Sequence, residues 1–141
     1  NNFGGINIEN SKSGTVVNKQ KLDNFLNKIN RLKLLKIDVE GMEISVIKGA
    51  SELIKKFRPM IYVENDRQEH SKELIELLWS LDYKMYWHLP KLYNENNFFN
   101  DKENIFGNIV SVNMFCIHKD SNIKILDMTE VLDSSFHPMK R

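Results

Sequence analysis

The sequence predicts an α/β fold in which parallel strands alternate with helices. Two short apolar runs, Leu34–Val39 and Met60–Val63, are each followed by acidic residues, and the segment between them has helical periodicity. Runs that are apolar at nearly every position are typical of strands buried on both faces of a parallel sheet. Residues 34–66 are therefore predicted to form a strand–helix–strand unit, around which the rest of the chain is organised.

The helix of this unit is predicted from one apolar stripe with a period near 3.6 residues. Pro59 cannot continue a helix, and it disfavours the helical conformation at Arg58, which is therefore expected to be extended. Charged residues such as Lys48 and Lys55 occupy the other face. The stripe is formed by Val46, Ala50, Leu53 and Phe57, with Ile47 and Ile54 beside them.

Acidic residues follow both predicted strands. Asp38 and Glu40 follow the first, and Glu64 and Asp66 follow the second. Parallel strands joined by a crossover end at the same edge of a sheet, and ligands of open α/β sheets bind beyond that edge. The carboxylates are thus expected to converge. The alternative is that Glu40, Glu43 and Asp66 are solvated loop acids near a helix N-terminus.

The residues before this unit predict little chemistry. Residues 1–13 are polar and are expected to be a loop or a weak edge element, and Gly14–Val17 is a possible short strand. Apolar residues from Leu22 to Leu32 follow a helical period, with Asn18 as a possible N-cap. A helix that packs on the sheet is expected there.

Behind the unit, a helix with a leucine-rich face and Ser71 as its cap is expected to lead into a strand at Tyr83–His88. Leu89–Asn108 has no period and contains several aromatic residues, which predicts a lid or binding loop, or alternatively an ordinary loop anchored by its aromatic side chains. Ile109–His118 alternates and is predicted to pair with Tyr83–His88. Ile123–Leu126 is a possible edge strand, and residues 127–141 a tail with a short helix near Val131.

Composition excludes several classes of function. A chain of 141 residues is one domain or part of one, and a net charge of +1 indicates no nucleic-acid partner. No apolar run is long enough to span a bilayer, no signal peptide is visible, and the single Cys116 is expected to be a packed core thiol, so a cytoplasmic location is predicted. No metal site is predicted, because the histidines are isolated: His70, His88, His118 and His137.

Several motifs together resemble the FkbM-type methyltransferases. The resemblance rests on Ile37–Glu43 (IDVEGME), Val46–Ala50 (VIKGA) and Arg58–Glu64 (RPMIYVE) as a spaced set. Weaker similarity lies at Asn2–Gly5 and Leu22–Asp23, and downstream it extends to about His118. The downstream similarity is found at Asn97–Phe99, Asn104–Gly107 and Val112–Met114.

The resemblance implies a Rossmann-like class I methyltransferase sheet, with S-adenosyl-L-methionine as cofactor. Such enzymes carry a Gly-rich turn after their first strand, and no such turn precedes Leu34 here. The chain is therefore expected to be the C-terminal half of that sheet, with parallel strands plus an antiparallel end strand. Residues 1–126 would be a partial methyltransferase domain without its cofactor-cradling half.

The implied reaction is O-methylation of a hydroxyl, on a small molecule or glycan such as a sugar or glycolipid. Asp38 is expected near the transferred methyl, as a catalytic and cofactor-binding residue, with Glu40 and Glu64 as catalytic acids that could bind or deprotonate the hydroxyl. Four further residues are expected to contact the substrate: Asn65, His88, Asn97 and Asn113.

Two alternatives remain open. The chain could be a non-catalytic half-domain that acts as an interaction module, because an unpaired apolar strand at Leu34–Val39 favours self-association through the exposed sheet edge. The same acids could instead serve a divalent-metal hydrolase, since hard cations prefer carboxylates. No second motif supports that hydrolase.

Overall fold

The computed structural model describes residues 15–140. The loop expected at residues 1–13, the Gly-Gly segment and Gly14 lie outside the described residues. The α-helices are α1 (Glu43–Lys48), α2 (Ser51–Phe57) and α3 (Gln68–Ser80), and a 3-10 turn spans Leu22–Phe25. The strands are β1 (Leu34–Ile37), β2 (Met60–Glu64), β3 (Tyr83–His88), β4 (Asn113–His118) and β5 (Thr129–Glu130).

The strands form one mixed sheet in the order β1-β2-β4-β3-β5. Strands β1 and β2 pair in parallel, and β4 pairs antiparallel with both β2 and β3, which confirms the predicted parallel unit and the predicted pairing of β3 with β4. Strand β4 is internal, and the antiparallel strand at the end of the sheet is β5, which pairs with β3. Strand β4 lies between β2 and β3. In this position its Met114 and Cys116 side chains are fully buried in the core.

The helical segment between β1 and β2 is present, but it is two short helices rather than one. The helix is interrupted at Gly49 and Ala50. There the Gly49 carbonyl accepts a hydrogen bond from the backbone N–H of Asp23 (3.0 Å). The Asp23 carboxylate then accepts from the Leu53 backbone N–H (2.9 Å) and caps α2. Arg58 is left-handed (φ 46°) rather than extended, since it closes the helix C-terminus with a bond to a preceding carbonyl.

Two elements expected near the N-terminus do not form. Thr15–Val17 has no regular structure, and the helix expected from Leu22 to Leu32 is reduced to the 3-10 turn and the turns after it. The prediction fails because Asp23 binds the start of α2, so this segment serves as a cap on another element and does not bury a stripe of its own.

Helix α3 begins earlier than its expected cap. Its N-cap residue is Arg67, and Ser71 lies inside the helix, where its hydroxyl is buried and accepts a hydrogen bond from Asn65 (3.0 Å). Strand β3 has the predicted bounds. Strand β4 begins at Asn113 rather than Ile109, because the preceding residues contribute only a single bridge, between Lys91 and Val110.

The C-terminal region packs against the sheet. Neither the edge strand expected at Ile123–Leu126 nor the helix expected near Val131 forms. Instead β5 pairs antiparallel with β3, and both Val131 and His137 are buried. The boundary predicted after residue 126 stays a prediction.

One face of the sheet carries the core. Buried residues of all three α-helices cluster with alternating positions of the strands. The opposite face is only partly covered, so β1 and β2 alternate in burial instead of being buried on both faces as predicted. That opposite face carries Lys36, Tyr62, Phe115 and Tyr86, all exposed or half-buried.

Candidate functional site

Four polar side chains form a row across the edge of the sheet where β1, β2 and β3 end. Strand pairing sets Glu64 opposite Asn113 and Asn113 opposite His88. Because β1 and β2 are in parallel register up to Ile37, Asp38 lies level with Glu64. Paired residues point to the same face, here the partly covered one. We call Asp38, Glu64, Asn113 and His88 the rim row.

Glu64 carries a partly buried carboxyl group whose pKa is raised. Its pKa is raised to about 7, first by burial and then by the negative charges of Asp66, Asp38, Glu40 and Glu43. These acids converge around Glu64, as the strand directions predicted. A carboxyl group with a pKa near neutrality can both accept and release a proton under physiological conditions.

Glu43 has a structural role that the sequence did not predict. Its side chain is buried, and its carboxylate accepts hydrogen bonds from the backbone N–H groups of Gly41 (3.1 Å) and Val39 (3.4 Å). Glu40 and Gly41 both have positive φ (52° and 96°), so the turn after β1 is left-handed at two consecutive residues. Glu43 stabilises this turn, and it is not a solvated loop acid.

Arg67 is a site residue that sequence reasoning missed. Its Nη2 donates to Glu40 Oε2 at 3.2 Å, and its Nε lies 3.5 Å from Asp66 Oδ1. The Nε atom is buried without a hydrogen-bond partner. No sequence pattern indicates a contact between Arg67 and Glu40. It depends on the loop after β1 lying close to the loop after β2.

Tyr62 is a second missed residue. Its hydroxyl shares a hydrogen bond of 2.8 Å with Nδ1 of His88, and their rings meet edge to face. Burial raises the pKa of Tyr62 despite the opposing charge of Lys36. Its spacing two residues before Glu64 places both on one face of β2, and this alternation was a signal that could have found it.

Asp38, the residue expected nearest the transferred methyl, is exposed on the rim. Its carboxylate accepts a hydrogen bond from Lys36 Nζ at 2.6 Å, and both side chains are about half exposed. The carboxylate is therefore paired but accessible to a ligand beyond the sheet edge.

Two of the residues expected to contact substrate are on the rim, and two are not. His88 and Asn113 belong to the rim row, where the Asn113 amide donates to Ser111 Oγ at 2.8 Å. Asn65 instead points to the helix-covered face, where it is buried and donates to Ser71 and to Met114 Sδ. Asn65 follows β2 directly and continues its alternation, in which the odd-numbered residues are buried on the helix-covered face. Its amide therefore bonds within the core.

Asn97 lies in the long loop between β3 and β4 and bonds within that loop. Its amide donates to Asp101 O (2.7 Å) and accepts from Asp101 N (3.0 Å). Two of the loop's aromatic side chains do not anchor it to the core, because Phe98 is 91% exposed and Phe99 is 86% exposed. The loop begins after His88 and ends before Asn113, so both of its ends lie at the rim row. Its exposed rings face solvent.

The rim chemistry fits the cationic end of S-adenosylmethionine. Acids outnumber cations around Glu64, and an anionic surface favours a sulfonium. Gly41, in the turn after β1, has open space beside its α-carbon. Within residues 15–140, no strand is followed by a Gly-rich turn that could cradle the rest of the cofactor.

Two further features were searched for across the described part of the chain. No group of three or more His, Cys, Asp or Glu side chains there is arranged to hold a metal ion. No described helix is both long and apolar enough to cross a bilayer. Cys116 is fully buried, and burial raises the pKa of its thiol, as expected for a core residue.

The fold and the rim define an α/β domain with an acidic strand-end site. The sequence model of the methyltransferase FkbM domain matches residues 1–85, which include β1, β2 and the helices between and after them. The chain therefore belongs to the FkbM methyltransferase family. No significant match was found among curated proteins or among solved structures.

Proposed function

We propose that this chain carries the acceptor side of an S-adenosylmethionine-dependent O-methyltransferase, built on half of a Rossmann-like sheet. The observation that carries the proposal concerns Glu64, which lies level with Asp38 and has a pKa raised to about 7, a value that suits a proton acceptor. Family membership supports methyl transfer, and the rim chemistry supports a hydroxyl acceptor, because a hydroxyl must lose its proton as it attacks.

When bound, S-adenosylmethionine supplies a methyl group on a cationic sulfur. The Glu64 carboxylate would accept the proton that the acceptor hydroxyl loses when it is methylated. Asp38 would contribute negative charge that favours binding of a cationic cofactor. Glu40, which is tied to Arg67, holds the turn beside Asp38 and adds to the negative charge around Glu64.

His88 and Asn113 would orient the acceptor. Both stand in the rim row beyond Glu64, and an imidazole and an amide can each donate or accept hydrogen bonds from hydroxyl groups. Asn97 and the exposed Phe98 and Phe99 would contact a bulkier part of the acceptor, such as a sugar ring or the apolar part of a glycolipid. Asn65 would act only by holding the backbone behind Glu64.

Mass spectrometry of hydroxylated acceptors incubated with the chain and S-adenosylmethionine tests this proposal. A product that gains one methyl group is expected, and Glu64→Gln should abolish most of it. Glu130→Gln, an exposed glutamate on β5, is the matched control and should leave the yield unchanged. Calorimetric titration with S-adenosylhomocysteine separates cofactor binding from transfer, and a wild-type chain that binds the cofactor but transfers no methyl group contradicts the proposal.

An interaction module is the second candidate, and the edge position of β1 favours it. Strand β1 ends the sheet order, and within residues 15–140 no strand pairs with its outer side. Leu34 is half exposed there. An unpaired apolar edge can add a strand from a second copy. Sedimentation velocity should show oligomers that Leu34→Lys reduces and Leu132→Lys does not, whereas a wild-type monomer would exclude this candidate.

A further inference from the structure

One cation joins the two loops that follow β1 and β2. Arg67 donates to Glu40 Oε2 at 3.2 Å in the loop after β1 and lies 3.5 Å from Asp66 in the loop after β2. Its backbone is the N-cap of α3, a helix of 13 residues, so the guanidinium extends from an anchored position. The ion pair therefore restrains one loop relative to the other.

The loop after β1 needs such a restraint. Glu40 has φ of 52°, a left-handed conformation that is strained for a non-glycine residue. Glu43 holds this turn from the helix side by accepting the Gly41 N–H, while Arg67 holds the Glu40 side chain from the β2 side. The strained turn is thus fixed at both ends.

We propose that Arg67 is a positioning residue for the rim row: it ties the loop after β1 to the loop after β2 and so sets the spacing and charge balance between Asp38 and Glu64. Only its consequence for turnover rests on the proposed function. The ion-pair geometry and the effect on Glu64 are properties of the chain itself.

The charges that face Glu64 make this role measurable. The acids around it are Asp38 from the end of β1, Glu40 from the turn, Glu43 from α1 and Asp66 from its own loop. Two cations pair with these acids rather than with Glu64 itself: Lys36 pairs with Asp38, and Arg67 pairs with Glu40 and Asp66. His88 lies further along the rim row. Without Arg67, two acids near Glu64 would lose their counter-charge.

Carboxyl ¹³C NMR titration of the chain tests the proposal without requiring turnover. Arg67→Gln should raise the pKa of Glu64 by about half a unit relative to wild type, because Glu40 and Asp66 would then act on Glu64 without their counter-charge. Arg58→Gln is the matched control. Arg58 precedes β2 and pairs with Asp120 at 2.8 Å, at the opposite end of the strand from Glu64. The same change of charge there should leave the pKa of Glu64 unaltered.

A second variant keeps the test decisive if Arg67→Gln does not fold. Arg67→Lys retains the charge but loses the planar fork, and its Glu64 pKa should lie between those of wild type and Arg67→Gln. In an E40Q background the effect of Arg67→Gln should shrink, because the two residues act through one contact. A Glu64 pKa equal to wild type in both Arg67 variants would overturn the proposal, whether or not the chain transfers a methyl group.

Discussion

The hydroxyl of Tyr62 lies 2.8 Å from Nδ1 of His88, although the strands that carry these residues are not neighbours. Strand β4 runs between them, and the two side chains meet over its surface on the partly covered face. The bond links β2, which carries Glu64, to the end of β3, where the long loop begins. It therefore fixes the far end of the rim row.

Removing this bond should disturb the acceptor end of the rim more than the fold. Tyr62→Phe is expected to raise the KM for the acceptor several-fold and to lower the free energy of unfolding by about 1 kcal/mol, the net value of one hydrogen bond. Tyr86→Phe, on the same face of β3, is the control. Steady-state kinetics and chemical denaturation provide the measurements, and equal kinetics in both variants would remove Tyr62 from the site.

Asp38→Asn should lower turnover at least tenfold and leave the chain folded. The carboxylate's pair with Lys36 is exposed, so its loss should change the free energy of unfolding by less than about 1 kcal/mol. The matched control is Asp120→Asn, another exposed paired acid at the opposite edge of the sheet. Initial rates and thermal melts test this, and unchanged turnover would exclude Asp38 from the mechanism.

Stability should fall as the pH rises from about 4.5 to about 7, because the folded-state pKa of Glu64 is raised from 4.5 to about 7. Over that interval the unfolded chain releases a proton that the folded chain retains. After allowance for solvent screening, the contribution is about 1 kcal/mol. Glu64→Gln should therefore be more stable than wild type at pH 8, and denaturation at pH 4 and pH 8 measures the difference.

The same titration predicts the pH dependence of the reaction. If Glu64 accepts the proton, the rate should rise with pH through an apparent pKa of about 7, because only the ionised carboxylate can act. A pH–rate profile with its rise centred near pH 4.5 would show that the group titrates normally.

Asp23→Ala should destabilise the chain through α2. The Asp23 carboxylate accepts hydrogen bonds from the backbone N–H groups of Leu53 and Glu52, so its loss should cost about 1 kcal/mol. Glu95→Ala, on the exposed loop, is expected to be silent. Urea denaturation compares the two variants, and equal midpoints would contradict the capping role.

The exposed rings of the long loop should affect binding but not stability. Replacing Phe98 and Phe99 together by alanine is expected to raise the acceptor KM about tenfold, since aromatic side chains contribute binding through buried area and stacking. The melting temperature should not change, because both rings are almost fully exposed. Leu132→Ala, 80% exposed on the C-terminal segment, is the control for loss of an exposed apolar side chain.

Much of the fold could be predicted where the local pattern of apolar residues matches the burial seen in the structure. The bounds of β3, the parallel pairing of β1 with β2 and the core position of Cys116 follow from apolar runs and alternation. The helix expected after Asn18 failed because Asp23 caps another element. Asn65 was expected to contact the substrate, but strand alternation turns its side chain to the core, where it donates to Ser71.

The sequence by itself determined that β1 and β2 are parallel neighbours, each followed by acidic residues. It also carries the motifs of a methyltransferase family. Only the tertiary structure decided which residues complete the rim. Asn113 and His88 join it because β4 enters between β2 and β3, and Arg67 reaches Glu40 because two loops meet beyond neighbouring strands. Such contacts between distant residues depend on strand order and loop geometry, and local periodicity encodes neither.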